Sequence, residues 1–333
     1  MPKPHKLVVV GVGHVGSYVL ADAMKMDLFG EIVTIDKDKG VAFGEALDQF
    51  QATGLTSIAS IAVRAGGYEE VRDADVVICA AGPSMKPDPE NPNAKPDRAA
   101  LAGQTSEVIR EVMRGITANV ERGKEPVVIL ITNPLDTMVY IAENEFDYPR
   151  GKVFGTGTML DSARLRRIVA DKCGVSPDSV SGYMMGEHGL AAFPALSHLS
   201  IGGIPASSSQ QYFGVELDPA ELADAVVTAA YDVFNGKGWT NAGVAQSAVL
   251  MARHVLLDER AIVPACTTLR GEYGHDGDIA FSMPCLLTKN GIEARYEIPL
   301  SEWEKDAMER SNQAIFQAMK DAGTGPDKAV GRA

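Results

Sequence analysis

Three side chains that together could handle a small carboxylate fall in one short run, GTGTMLDSARLRRIVADKCGVSPDSVSGYMMGEHG, residues 155–189: Asp161, Arg164 and His188. A guanidinium holds a carboxylate through two parallel hydrogen bonds. A carboxylate that accepts a hydrogen bond from an imidazole fixes its tautomer and favours its protonated form. The same residue types also make ordinary surface ion pairs, so the run alone leaves both readings open. The chemistry needs two elements to meet. Asp161 and Arg164 lie three apart in a segment that reads as a helix, which puts them on one face. Ser179 to Met185 reads as a strand ending at Gly186-Glu187-His188-Gly189, and its end must lie beside that helix.

The amino-terminal third supplies a second constellation. Lys6 to Val10 is an apolar, β-branched run followed by GVGHVG at 11–16, then a helical pattern at Val15, Val19 and Ala23, then a strand at 32–35 closing on Asp36. This is a βαβ unit with a dinucleotide fingerprint. Gly11 allows the tight turn, Gly13 lets backbone approach a pyrophosphate, and Gly16 lets helix pack on strand. His14 and Val15 complete the loop, with His14 reaching the cofactor through its backbone. The helix N-terminus presents free N–H groups and positive dipole to the phosphates. Asp36 can bond both ribose hydroxyls and repels a 2′-phosphate, so the pattern favours NAD over NADP.

Further along, residues 38–50 read as a helix, 58–63 as an edge strand and 75–80 as a buried strand ending at Ala81-Gly82. A proline-rich segment, PSMKPDPENPNAKPD at 83–97, has almost no apolar residue and reads as a surface loop. It leaves a strand end on the edge where open α/β sheets bind ligands, so a mobile lid fits better than a linker. Arg98 stands at its base, before a helix over about 99–122. A strand at 127–131 ends at Asn133-Pro134, whose plain reading is a turn. A helix to about 146 and a strand at 152–154 follow. Regular alternation of strands and helices predicts a Rossmann-type, doubly wound parallel sheet. The NAD-binding domain is placed at 1–146 and an α+β substrate domain at 147–333. In the second half, 195–201 reads as a strand, 219–235 and 241–257 as helices, and 261–270, 278–287 and 292–298 as strands. Asn290-Gly291 makes a hairpin turn, and the last helix spans 301–321. Thr240 is a possible helix cap.

Composition bounds the rest. At 333 residues with 45% hydrophobic residues, the chain has ample core for one large or two ordinary domains. A net charge of −13 argues against nucleic acid or an anionic membrane as partner. No apolar run is long enough to span a bilayer, and the first residues lack a secretory pattern. Cys79, Cys173, Cys266 and Cys285 are scattered without metal-ligand spacing, so no metal is expected and the thiols read as reduced, in a cytoplasmic protein.

With these motifs in order, the chain resembles the L-lactate/malate dehydrogenase family over nearly its full length, most closely the L-2-hydroxyisocaproate dehydrogenase branch. The resemblance rests on GVGHVG at 11–16, Asp36, AGP at 81–83 with Arg98, ITNPLD at 131–136, GTGTMLDSAR at 155–164, GEHG at 186–189 and NGKGWT at 235–240. It implies that His188 exchanges a proton with the substrate's C2 oxygen, and that Asp161 orients it. Arg164 would clamp the substrate carboxylate, and Arg98 would polarise the C2 carbonyl as the lid closes. Asn133 would bond the substrate oxygen near the cofactor, and Thr240 would line the pocket. It also implies NAD as cofactor, a small 2-oxo or 2-hydroxy acid as partner, and a homodimer or homotetramer as the assembly.

The chain departs from the family at the lid position that reads the substrate side chain, which is Gln in lactate and Arg in malate dehydrogenases. Met85 stands there, with Lys86 beside it. Met85 facing inward selects a larger apolar 2-oxo acid; Lys86 facing inward admits a dicarboxylate. Apolar 2-oxo acids rank first, pyruvate second and oxaloacetate last. A non-catalytic NAD-binding protein on the same scaffold is the alternative of another class.

Overall fold

The computed structural model describes residues 4–55, 61–86, 88, 90, 91, 95 and 98–330, without the side chains of Arg98 and Ala99. In the first half, strands β1 (His5–Val10), β2 (Phe29–Ile35), β3 (Ala62–Ala65), β4 (Val76–Cys79), β5 (Val127–Leu130) and β6 (Val153–Gly155) alternate with helices α1 (Gly16–Lys25), α2 (Lys39–Ala52), α3 (Ala102–Thr117) and α4 (Leu135–Asn144). The second half holds α5 (Met159–Cys173), β7 (Val180–Ser181), β8 (Met184–Met185), β9 (Phe193–Pro194), β10 (Ser200–Ile201), β11 (Ile204–Pro205), α6 (Ser209–Phe213), α7 (Pro219–Lys237), α8 (Ala242–Leu256), β12 (Ala261–Arg270), β13 (Asp276–Thr288), β14 (Gly291–Arg295) and α9 (Glu302–Asp321).

The main sheet has the order β14-β13-β12-β6-β5-β4-β1-β2-β3. From β3 to β6 the strands are parallel, in the Rossmann arrangement. Strands β1, β4 and β5 are buried almost throughout, as expected where helices cover both faces. The chain reverses strand order between β1 and β4, which opens a crevice at their carboxyl ends. The sheet does not stop with the first half: β12, β13 and β14 extend it antiparallel, joined to β6 at the single pair Cys266–Gly155. A second apolar cluster, including Leu165, Val169, Val180, Leu199 and Val226, packs under α5 and α7.

Local chemistry sets the helix ends near the site. α7 starts on Asp218, whose side chain accepts from the Glu221 amide with proline next in line, and stops on Gly238 at φ 92°. α9 starts on a capping box formed by Ser301 and Glu304.

The structure corrects several expectations. The run 179–185 is not one strand: β7 pairs with β10 and β8 with β9, in two separate small sheets. Residues 196–198 form a 3-10 turn, held by bonds from the Ser197 amide and hydroxyl to Glu304, and only Ser200–Ile201 is strand. The helix expected over 99–122 is α3, preceded by a 3-10 turn at Arg98–Leu101 and ended at Thr117. The edge strand is Ala62–Ala65; residues 56–60 lie outside the described residues. α8 is capped by the Asn241 side chain rather than by Thr240.

Candidate functional site

The glycine loop has the geometry its sequence implies. Gly11 adopts φ 84°, and a Cβ there would stand 2.5 Å from the Ala81 nitrogen. At Gly16 a Cβ would fall 1.9 Å from the Gly11 carbonyl oxygen. Nothing lies within 4 Å of a Cβ at Gly13, so that stretch of backbone is open to a ligand. Asp36 stands just past the end of β2. Its carboxylate accepts from the Val12 amide at 2.9 Å and from the Asp38 amide at 3.0 Å, which ties it to the loop. An uncovered glycine loop at a helix N-terminus, with an acid at the next strand end, fits a dinucleotide. His14 is exposed, and its ring stacks on Trp239 with centroids 3.8 Å apart and planes 5° from parallel. That contact joins the glycine loop to the turn between α7 and α8.

Ala81 and Gly82 follow β4 and sit against β5: Thr132 donates to the Ala81 carbonyl at 2.8 Å, and a Cβ on Gly82 would lie 2.6 Å from the Thr132 methyl. Beyond them opens a cleft of about 1050 Å³, open mouth included. Its walls include Val15, Gly82, Met85, Leu101, Asn133, Leu160, Arg164, His188, Phe234, Trp239 and Thr240.

The acid, guanidinium and imidazole converge there. Asp161, in the first turn of α5, is buried, as is His188. The His188 Nδ1 lies 2.7 Å from Asp161 Oδ2, and Arg164 Nη1 donates to Asp161 Oδ1 at 2.8 Å. With Nδ1 engaged, Nε2 is the nitrogen left to face a substrate. The carriers are locked together: Thr158 Oγ1 donates to the Met184 carbonyl at 2.6 Å, and the Met184 amide donates to Ser162 Oγ at 2.9 Å. β8 is thereby seated on α5 just before Gly186. Gly186 turns at φ 94° and pairs with Ser282 of β13.

Asn133 and Thr240 each bring a buried side-chain oxygen, Oδ1 and Oγ1, with no partner among the described residues. Buried acceptors without partners are costly, and in a cleft wall they mark places where a ligand would bond. Met85 is half-buried and lines the cleft, whereas Lys86 is exposed and does not. The backbone of Arg98 opens the 3-10 turn before α3; its side chain lies outside the described residues, as do prolines 87, 89, 92 and 96 of the lid segment. Within that segment, Lys95 reaches α7, bonding Asp224 at 3.2 Å and Thr228 at 2.9 Å.

Sequence reasoning missed Asp136. It is buried in the first turn of α4, and burial pushes its carboxyl up against the pull of a bond from the His188 amide. The available signal was an acid inside the otherwise apolar LDTMVYIA. Trp239 and Phe234 were also missed as cleft walls. The remaining histidines make peripheral contacts: His5 with Asp75, His254 with Glu259 and His275 with Asp278, and His198 with the Pro299 carbonyl. Among the described residues, no group of three or more His, Cys, Asp or Glu could hold a metal, the cysteines are free, and no helix is long and apolar enough to cross a membrane.

Comparison with known proteins gives concordant results. The lactate/malate dehydrogenase NAD-binding domain model matches residues 5–155, and the lactate/malate dehydrogenase alpha/beta C-terminal domain model matches 158–324. L-lactate dehydrogenase 2 of Clostridium acetobutylicum is 39% identical over 322 residues, 96% of this chain and 98% of that one. The L-lactate dehydrogenase of Selenomonas ruminantium is 39% identical over 325 residues, 97% and 99% of the two chains. Among solved structures, the minor L-lactate dehydrogenase of Enterococcus mundtii superposes with TM-score 0.86 at 30% identity, covering 96% of this chain and 98% of that one. Cryptosporidium parvum malate dehydrogenase superposes with TM-score 0.85 at 28% identity, covering 96% and 99%.

Proposed function

Because the chain belongs to the lactate/malate dehydrogenase family and carries its NAD-binding domain, we propose that it is an NAD-dependent L-2-hydroxy acid dehydrogenase that prefers an apolar side chain larger than that of lactate. One observation carries the reading: the His188 imidazole and the Arg164 guanidinium share the two oxygens of Asp161 in the wall of the cleft that also receives Val15 of the glycine loop.

Bound NADH supplies the hydride that reduces the substrate's C2 carbon. The protein's residues do the rest. Arg164 holds the substrate carboxylate as a planar fork. His188, steadied at Nδ1 by Asp161, gives its proton to the C2 oxygen and takes it back in the oxidative direction. The unpartnered Asn133 Oδ1 belongs to an amide that can turn its Nδ2 toward the same oxygen. Arg98, at the foot of the lid segment, is assigned to polarise the carbonyl. Residues 1–146 form the NAD-binding domain, which also lends Met85, Arg98 and Asn133 to the substrate, and 147–333 form the substrate domain. The Asp36 carboxylate favours the free ribose of NAD over the 2′-phosphate of NADP.

Side-chain preference follows from the lining. Met85, Leu101, Phe234, Trp239 and Val244 are apolar, and among the described residues the basic groups of the cleft are Arg164 and His188. A dicarboxylate would need a further cation, and Lys86 lies outside the lining. The likeness to a malate dehydrogenase structure keeps that enzyme as the second reading, with Lys86 turned inward.

Two further proposals concern the setting. Four scattered free cysteines, three of them buried, suit a reducing cytoplasm. Phe43, Leu47 and Phe50 stand exposed on one face of α2, a stripe that suits burial in a homodimer or homotetramer; light scattering measures the state. Substrate identity is tested by kcat/KM for NADH oxidation with pyruvate, 2-oxoisocaproate and oxaloacetate. The expected order is 2-oxoisocaproate, pyruvate, oxaloacetate; a clear preference for oxaloacetate selects malate dehydrogenase instead.

A further inference from the structure

Asp136 spends both carboxylate oxygens on groups from distant parts of the chain. Oδ2 accepts the backbone N–H of His188 at 2.8 Å, and Oδ1 accepts the thiol of Cys266 at 3.2 Å. All three residues are buried. Asp136 belongs to the first turn of α4, and that helix begins directly after Asn133-Pro134. It therefore stands three residues from Asn133 and holds the backbone of His188, both assigned to the substrate's C2 oxygen.

The segment bearing His188 needs such an anchor. It runs Gly186-Glu187-His188-Gly189, and glycine on either side leaves the backbone conformationally permissive. Its entry is fixed by the exchange of bonds between Gly186 and Ser282 at 3.0 and 3.1 Å, and by the Glu187 amide donating to Ser311. At His188 the ring is tied to α5 through Asp161, and the backbone is tied to α4 through Asp136. The first tether orients the imidazole. The second sets how far the imidazole stands from Asn133, which no bond to α5 can do.

We propose that Asp136 is a positioning residue of the hydrogen-transfer step: by bonding the His188 amide it locks the acid/base to the helix that follows Asn133, and so fixes the spacing of these two groups at the substrate oxygen. This rests on the dehydrogenase reading. Cys266 shares the carboxylate through its other oxygen, and it lies at the seam where β12 meets β6. The function assigned to Asp136 is reach, not charge. An amide of the same length can accept the His188 N–H with its oxygen and turn its nitrogen toward the sulfur, a weak acceptor. A carboxylate one methylene longer keeps the charge but displaces the loop.

The test compares Asp136→Asn and Asp136→Glu with the parent enzyme, using NADH and 2-oxoisocaproate. Folding is checked by NADH binding, and hydrogen transfer by the primary isotope effect on kcat with C4-deuterated NADH. Asp136→Asn is expected to keep kcat within about tenfold of the parent, and Asp136→Glu to lose on the order of 10²-fold, the cost of misplacing a reacting group by about 1 Å. The loss should fall on kcat, with NADH affinity intact and the isotope effect raised because hydrogen transfer becomes the slow step. Should Asp136→Glu not bind NADH, Asp136→Ala takes its place with the same expected loss. Cys266→Ala should leave kcat near that of the parent. An active Asp136→Glu beside a crippled Asp136→Asn overturns the proposal in favour of charge. Near-parental kcat in Asp136→Ala, or a loss in Cys266→Ala equal to that of the Asp136 variants, overturns it as well. If the parent enzyme oxidises NADH with none of the three 2-oxo acids, the dehydrogenase reading fails first, which separates the two failures.

Discussion

Replacing Asp161 by Asn removes one charge from the site while leaving its shape nearly unchanged. Asp161 is buried and serves two donors at once, the His188 ring at 2.7 Å and the Arg164 guanidinium at 2.8 Å. An amide offers one acceptor oxygen and one NH₂, so one of those donors must then face another donor. A hydrogen bond to a charged group contributes roughly 1.5–3 kcal/mol. With a tenfold rate change per about 1.4 kcal/mol, losing the imidazole bond alone lowers kcat/KM by roughly 10- to 150-fold. The assay is the initial rate of NADH oxidation over a range of 2-oxoisocaproate concentrations, with NADH affinity measured separately. That affinity should hold, since Asp161 lies outside the glycine loop. Retention of kcat/KM within about threefold in Asp161→Asn would refute the reasoning, because it would mean that the imidazole does its work without the carboxylate.

Two further outcomes are expected. Arg164→Lys keeps a positive charge but loses the planar fork, so KM for the 2-oxo acid should rise roughly 10- to 100-fold with NADH affinity unchanged; steady-state kinetics read both. Away from the site, Glu70 binds Arg64 through both oxygens and Lys6 at 2.9 Å, and the Arg64 guanidinium first, then Lys6, holds its carboxyl down at about 2. A carboxylate held below its ordinary value adds stability that is fully present above that value and is lost as pH falls toward the folded-state one. Arg64 is 45% exposed at its side chain, so solvent screening reduces the gain to about 1 kcal/mol. Glu70→Gln should therefore lower the urea midpoint at pH 7, and the gap from the parent should close as pH falls from 4.5 toward 2.

The parts of the site that local chemistry dictates were legible in the sequence. A βαβ unit with glycines at 11, 13 and 16 has few other uses, and the acid at 36 follows from where β2 ends. The pairing of Asp161 with His188 was legible as residue types on a helix and at the end of a strand-like run. What escaped depends on contacts between distant segments. The run 179–185 looks uniform, yet its two ends find different partners, Ser200–Ile201 on one side and Phe193–Pro194 on the other. Residues 196–198 become a turn because Glu304, more than a hundred positions away, takes the Ser197 amide. Thr240 and Asn241 are both capable caps; Asn241 takes the role, and Thr240 lines the cleft instead. Nothing local to ITNPLD announces that its last residue holds the His188 amide 52 positions on. Met85 lines the cleft and Lys86 does not, a difference set by where the backbone places each residue and not by either residue's type.

The most direct measurement is NADH oxidation by the parent enzyme and His188→Ala with 2-oxoisocaproate, alongside NADH binding to both. Removing the general acid should cut the rate by roughly 10²–10⁴ and leave NADH affinity near that of the parent. An unchanged rate in His188→Ala would contradict the assigned chemistry, and a parent enzyme that binds NADH but turns over no 2-oxo acid would return the chain to the non-catalytic NAD-binding class.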